Sequence, residues 1–266
     1  MTTESQTTSA FSSIVDSPRT VKLFTSRWAE RTPQGFVMNV KAFRLFTGHQ
    51  TSPAVLPKDV QEALGRRKGN LFYKDTPAEV RDELWRRFHE ALAPLHHAGR
   101  LGLVHFQFPP WLVRNREGHE HVRHCVERMQ GFTVGVEFRN RTWFDDAHRE
   151  QTLTFERELA VVHTVVDGPQ GFANSVPPVW EVTHPRYALV RLHGRNAATW
   201  NIRGATSASD RFNYDYPTAE LADLAVSIRR LARPELETHV IFNNNMEDQG
   251  QRNARAMREL LTARPE

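Results

Sequence analysis

The sequence is poor in cysteine: Cys125 stands alone among 266 residues. A single thiol excludes an internal disulfide and any multi-cysteine metal site, and it suits a reducing cytoplasm. Long apolar runs are missing as well. No stretch reaches the roughly eighteen apolar residues that would span a bilayer, and the opening MTTESQTTSA has neither the basic flank nor the apolar core of a secretory signal. Strong charge of either sign is also lacking. Lys and Arg total 35 against 31 for Asp and Glu, a formal charge of +4 spread along the chain. That tilts the protein towards anionic ligands without the clustered basic face of a nucleic-acid footprint. The P-loop, GxGxxG, HExxH and GxSxG patterns do not occur, which removes the usual nucleotide, zincin and serine-hydrolase readings.

What is present is an ordinary globular composition, 39% apolar and 25% charged, in a length that suits one large α/β domain. Residues 1–10 read as a disordered, low-complexity tail and 11–266 as a single domain. Seven β-rich runs recur: FSSIVDS from Phe11, FVMNVKAF from Phe36, LGLVHFQF from Leu101, TVGVEFR from Thr133, LAVVHTVVD from Leu159, ALVRLHG from Ala188 and THVIFNN from Thr238. Helical patterns lie between them. One has Thr76 as its expected N-cap and Pro77 in its first turn; another starts at Thr218. Strand followed by helix, repeated, predicts parallel βα units. The connection after Gly194 is long and carries Trp200, Tyr214 and Tyr216, which favours a lid.

The run VGVEFRNRTWF, from Val134 to Phe144, disagrees with itself about water. Val134, Val136 and Phe138 alternate with Gly135, Glu137 and Arg139, so one face is apolar and the other ends in opposite charges. In a βα barrel one strand face packs beneath helices, and sites form where the strands end. The same choice turns Asn39 and Lys41, His105 and Gln107, His163 and Asp167, Arg191 and His193, and one of Asn243 or Asn244 inwards. Buried unpaired charges are costly, so these groups must meet one another or a ligand. A purely structural ion-pair network at the barrel mouth is the competing expectation.

Five stretches in order, RWAERTPQGFVMNVKAFRLFTGH, QFPPW, VGVEFRNRTWF, RLHGR and FNNN with RNARAMRELL, resemble the domain of unknown function 72 family, also called YecE-like. The resemblance implies a TIM-type (β/α) barrel and implies no particular activity. Family members open on a glycine-rich strand and helix, for which this sequence has only MTTESQTTSA. The expectation is therefore an α/β barrel with a truncated N-terminus, lacking its first strand and helix.

Catalytic candidates are Glu137, His193, Asp167 and Lys41: two carboxylates and an imidazole for proton transfer, and an amine for a point charge or a Schiff base. Arg139, Arg191 and Arg195 have planar forks suited to a phosphate or carboxylate. Gln107, Asn243 and Asn244 would orient polar ligand groups, Trp143 would stack on a ring, and His49 would close over the site. The leading expectation is a hydrolase or isomerase acting on a small anionic substrate or nucleic-acid fragment by general acid/base chemistry. Its rivals are a non-catalytic module that binds an anionic ligand or nucleic acid, and a divalent-metal-dependent barrel nuclease or isomerase using Glu137, Asp167 and His193. The cluster HEHVRHC from His119 is expected to be solvated surface, and the sequence leaves the cofactor unknown.

Overall fold

The computed structural model describes residues 18–65, 69–202 and 208–263. The tail 1–10, the expected strand FSSIVDS and the basic RRK at 66–68 lie outside the described residues. Six strands and eight helices follow along the described chain: α1 Pro18–Arg31, β1 Met38–Lys41, α2 Lys58–Leu64, α3 Ala78–His97, β2 Leu101–Gln107, α4 Arg116–Glu127, β3 Val134–Glu137, α5 Arg149–Glu158, β4 Val162–Asp167, β5 Tyr187–Leu192, α6 Ala197–Trp200, α7 Thr218–Leu231, β6 Glu237–Phe242 and α8 Gln249–Thr262. The fold is α/β, with every assigned strand pair parallel. Among the described residues no helix is long and apolar enough to cross a membrane.

The chain divides into two compact units, one running to residue 112 and through 116–134, the other comprising 113–115 and the chain from 135 onwards. In the first, β1 lies parallel to β2, with Lys41 opposite His105, and the Asn39 carboxamide accepts the Leu103 N–H at 2.9 Å. The Val104 N–H donates to the Thr133 carbonyl, so the chain leading into β3 runs beside β2. Its core is aromatic. Phe46 stacks on Trp85 at 3.6 Å, and Trp85 donates its indole N–H to the Tyr73 hydroxyl, which lies 2.7 Å from His124. Helix α3 starts one turn position later than expected: Pro77 occupies the cap, and the Thr76 hydroxyl bonds back to the Phe72 carbonyl.

In the second unit β3, β4, β5 and β6 lie side by side in chain order. The period of two decides which side chains face which layer. Ala188, Val190 and Leu192 of β5 and Val240 and Phe242 of β6 pack against Leu221, Leu224, Ala225, Ile228 and Leu231 of α7. That helical stripe has the i, i+3, i+4, i+7 spacing of a core-facing helix. Each apolar row leaves its alternates on the opposite face. Arg191 therefore points away from the helices, and the row from Leu189 continues into His193.

On β4 the expected facing is wrong by one residue. Val165 belongs to the α7 cluster, and the His163 ring lies 3.0 Å from Glu156 of α5 and 3.1 Å from the Val179 carbonyl. The row His163, Val165, Asp167 thus faces the helix layer.

Candidate functional site

Glu137 is the last residue of β3 and is wholly buried. Its Oε1 accepts from Arg139 Nε at 2.5 Å, and its Oε2 accepts from Arg191 Nη1. Arg191 sits on β5, 1% exposed, and donates from Nη2 to Asn243 Oδ1 at 2.9 Å. His193 completes the group: its Nε2 lies 3.3 Å from Glu137 Oε1 and 3.3 Å from Arg139 Nη2. The structure therefore brings Glu137, Arg139, Arg191, His193 and Asn243 together at the ends of three strands.

Electrostatics follow from this packing. Burial pushes the Glu137 carboxyl up, but Arg191 and then Arg139 outweigh it and hold the group well below the usual carboxylate range. Burial lowers the Arg191 guanidinium, and Glu137 opposes that shift. Burial, with Arg139 beside it, carries His193 down to about 3 against the pull of Glu137. At neutral pH the imidazole is uncharged. Its Nδ1 is buried and has no hydrogen-bond partner among the described residues.

A second cluster adjoins the first. Both Asp167 oxygens accept from Arg195, Oδ1 from Nη2 at 2.7 Å and Oδ2 from Nε at 3.0 Å, while the Tyr216 hydroxyl donates to Oδ2 at 2.7 Å. The same hydroxyl accepts the Gly194 N–H at 2.8 Å. Arg195 also pairs with Glu220, which takes the Tyr214 hydroxyl at 2.8 Å. Asp167 and Arg195 are thus paired with each other. Tyr216 and Glu220 were missed because a tyrosine in a long loop and a glutamate in a first helical turn carry no sequence signal for a strand-end network.

The chain after Gly194 covers the site. Trp200 is buried and donates its indole N–H to Asn174 at 3.2 Å, its ring lies under the Arg139 guanidinium at 5.6 Å, and the Phe212 ring lies 5.7 Å from His193. Gly194 has φ +83°, and a Cβ there would meet Tyr214 Cβ at 2.5 Å, so the turn into this segment requires glycine.

Other expected residues lie elsewhere. Trp143 is fully buried and stacks on Phe138 at 3.9 Å, in a turn capped by Asn140; it is core, not a ligand platform. Asn244 donates to the Tyr214 carbonyl and to Asn253 of α8, so Asn243 is the amide at the site. Lys41, Gln107 and His49 belong to the first unit. Lys41 and Gln107 end β1 and β2, and the His49 ring lies 2.8 Å from the Thr47 hydroxyl and edge-on to Trp111. His121 and His124, expected on solvated surface, are instead half-buried: His121 packs beside Cys125 and is lowered by burial to about 4, and His124 meets Tyr73.

The family described as Protein of unknown function DUF72 matches residues 19–266. The chain belongs to the DUF72 family. It is 33% identical over 237 residues to the UPF0759 protein YunF of Bacillus subtilis, covering 88% of this chain and 76% of the relative. Among solved structures it is similar to a DUF72 family protein from Enterococcus faecalis, with a TM-score of 0.75 and 26% identity over 92% of this chain and 81% of that one. A DUF72 family protein from Thermotoga maritima shares the fold, with a TM-score of 0.69 at 24% identity over 91% of this chain and 80% of that one.

Proposed function

We propose that this DUF72 protein is an enzyme of the hydrolase or isomerase type that takes a small phosphate- or carboxylate-bearing substrate at Arg139 and Arg191, with His193 handling the proton. One observation carries the reading: two guanidiniums converge on a single buried carboxylate beside an uncharged imidazole. The charges of these groups sum to +1 where water is nearly excluded. A desolvated excess cation is costly until an anion joins it, and Arg139, with 11% of its side chain exposed, is the group best able to greet one. Guanidiniums are the side chains of choice for two-point capture of an oxyanion.

The chemistry redistributes the roles expected from sequence. Glu137 is held ionised by two cations, which leaves it no proton to give and makes it a weak base; it orients the imidazole instead. Asp167 and Arg195 brace the strand ends. A divalent metal finds no ready donor pair in Glu137 and Asp167, whose oxygens face arginines and a tyrosine. In this reading the strands form part of a TIM-type barrel with its site at the strand ends, in a cytoplasmic protein with a buried thiol.

A non-catalytic anion receptor remains the second reading, favoured by the saturation of Glu137. Titration calorimetry with sulfate, inorganic phosphate and small carboxylates tests the shared part. Binding that Arg139→Gln leaves unchanged overturns it. A panel of sugar phosphates and nucleotide fragments then separates the two: product formation lost in His193→Gln supports the enzyme, and retained binding without product supports the receptor.

A further inference from the structure

Resting on the anion reading above, we infer that His193 Nδ1 is a direct ligand contact, and that an oxyanion bound beside Arg139 draws a proton from solvent onto that nitrogen. The argument begins with the two ring nitrogens. Nε2 lies 3.3 Å from a carboxylate oxygen of Glu137 and 3.3 Å from Arg139 Nη2, whereas Nδ1 is buried with no partner among the described residues. If Nδ1 carried the ring hydrogen, Nε2 would accept from Arg139 Nη2, but a buried N–H would be orphaned at Nδ1, and an orphaned buried donor is the rarer and costlier arrangement. With the hydrogen on Nε2, the imidazole donates to Glu137 and presents Nδ1 as an unused lone pair. A buried polar atom without a partner is rare in a native site, and a ligand oxygen is a partner of the right kind for it.

The charges facing the ring set the direction of the coupling. From β3 it meets Glu137 and Arg139, and from its own strand the nearby Arg191. Among the described residues of the covering segment it meets the uncharged rings of Trp200 and Phe212, and the Asp167 carboxylate at the end of β4 is occupied by Arg195 and Tyr216. The cations outnumber the carboxylate, and with burial they keep the ring neutral. An anion seated on Arg139 cancels the charge that repels a proton. Protonation at Nδ1 then creates an N–H aimed at the ligand, while Nε2–H stays with Glu137, and every donor on the ring is used. The balance is simple: one proton leaves the buffer, one N–H bond forms, and nothing is oxidised or reduced.

Sulfate is the probe, because it carries no titratable proton near neutral pH and any uptake belongs to the protein. Calorimetric titration of the whole chain in two buffers of different ionisation heat gives the protons absorbed per sulfate bound. The expected result approaches about one proton at mildly acid pH in the native protein and falls to about zero in His193→Gln. Nitrogen-15 spectra of histidine-labelled native protein should show the His193 ring passing from the Nε2–H tautomer to imidazolium as sulfate is added, a readout that needs no variant to fold. Sulfate binding with no proton uptake and an unchanged ring overturns this inference alone. No sulfate binding at all overturns the anion reading and this inference with it.

Discussion

Arg139 reaches back two residues along the end of β3 to donate its Nε–H to Glu137 at 2.5 Å, while Arg191 takes the other carboxylate oxygen from the neighbouring face of β5. The carboxylate is thus shared between a partly accessible cation and a buried one, and the two should behave differently on removal. Arg191→Met strips the buried partner and is expected to cost about 3–5 kcal/mol. Glu137→Gln leaves two guanidiniums facing each other and should also destabilise. The double variant should lose less than the sum of the single losses, because each removes the cost the other creates. Urea unfolding of the three variants measures this, and simple additivity would show that the pair does not act as a unit.

Acid should loosen the protein in two stages. Glu137 has a folded pKa below its ordinary 4.5, so its contribution is present above that value and is lost as pH falls further. His193 is lowered from 6.5 to about 3, so the unfolded chain binds a proton in this window that the folded chain refuses, and stability falls with pH from about 6.5 downwards. Both groups therefore act in the same direction, and the histidine acts first. Urea midpoints between roughly pH 7.5 and 5 should decline in the native protein and decline less in His193→Gln. A flat native profile across that interval would show that the ring is not held neutral.

How much of this was legible depended on whether a strand's two faces differ. In β5 the apolar Ala188, Val190 and Leu192 alternate with Arg191 and the row reaching His193, so the site-facing row was plain. The β4 run offers Val161, Val162, Val165 and Val166, apolar on both faces, and periodicity could not choose; His163 and Asp167 were turned the wrong way. Strand β6 is followed by Asn243 and Asn244, chemically identical, and only their tertiary partners separate them: Arg191 for the first, Tyr214 and Asn253 for the second. Tyr216 lies far along a loop, and its bonds to Asp167 and Gly194 come from tertiary packing that no local pattern encodes.

That tyrosine is the test of whether the second cluster braces the first. Its hydroxyl bridges the Gly194 N–H and Asp167 Oδ2, and burial followed by the Asp167 charge keeps it far above its ordinary pKa, so it remains a donor at every working pH. Tyr216→Phe keeps the ring and orphans both partners, at an expected cost of roughly 1–3 kcal/mol. Because Gly194 follows His193 directly, the nitrogen-15 resonances of the His193 ring should broaden or shift as well. A stability loss with an unmoved ring would confine Tyr216 to ordinary packing.

Two buried tryptophans separate covering from core. Trp143 stacks on Phe138 and lies near Phe155 of α5, away from the charged group, so Trp143→Leu should lower stability by a few kcal/mol, at about the scale of other large core truncations. Sulfate affinity should be nearly untouched. Trp200 instead lies under the Arg139 guanidinium and 6.3 Å from the His193 ring, tied to the second unit's own loop by Asn174. Removing its ring admits water to the guanidinium and weakens the electrostatic attraction that a dry site confers. Trp200→Ala should therefore raise the sulfate dissociation constant by about tenfold, equivalent to 1.4 kcal/mol. Stopped-flow dissociation would show the loss as faster release, since water entering the site shortens the lifetime of the bound anion more than it alters the encounter. Equal effects of the two substitutions on sulfate binding would mean that the segment after Gly194 packs the core and does not cover a ligand.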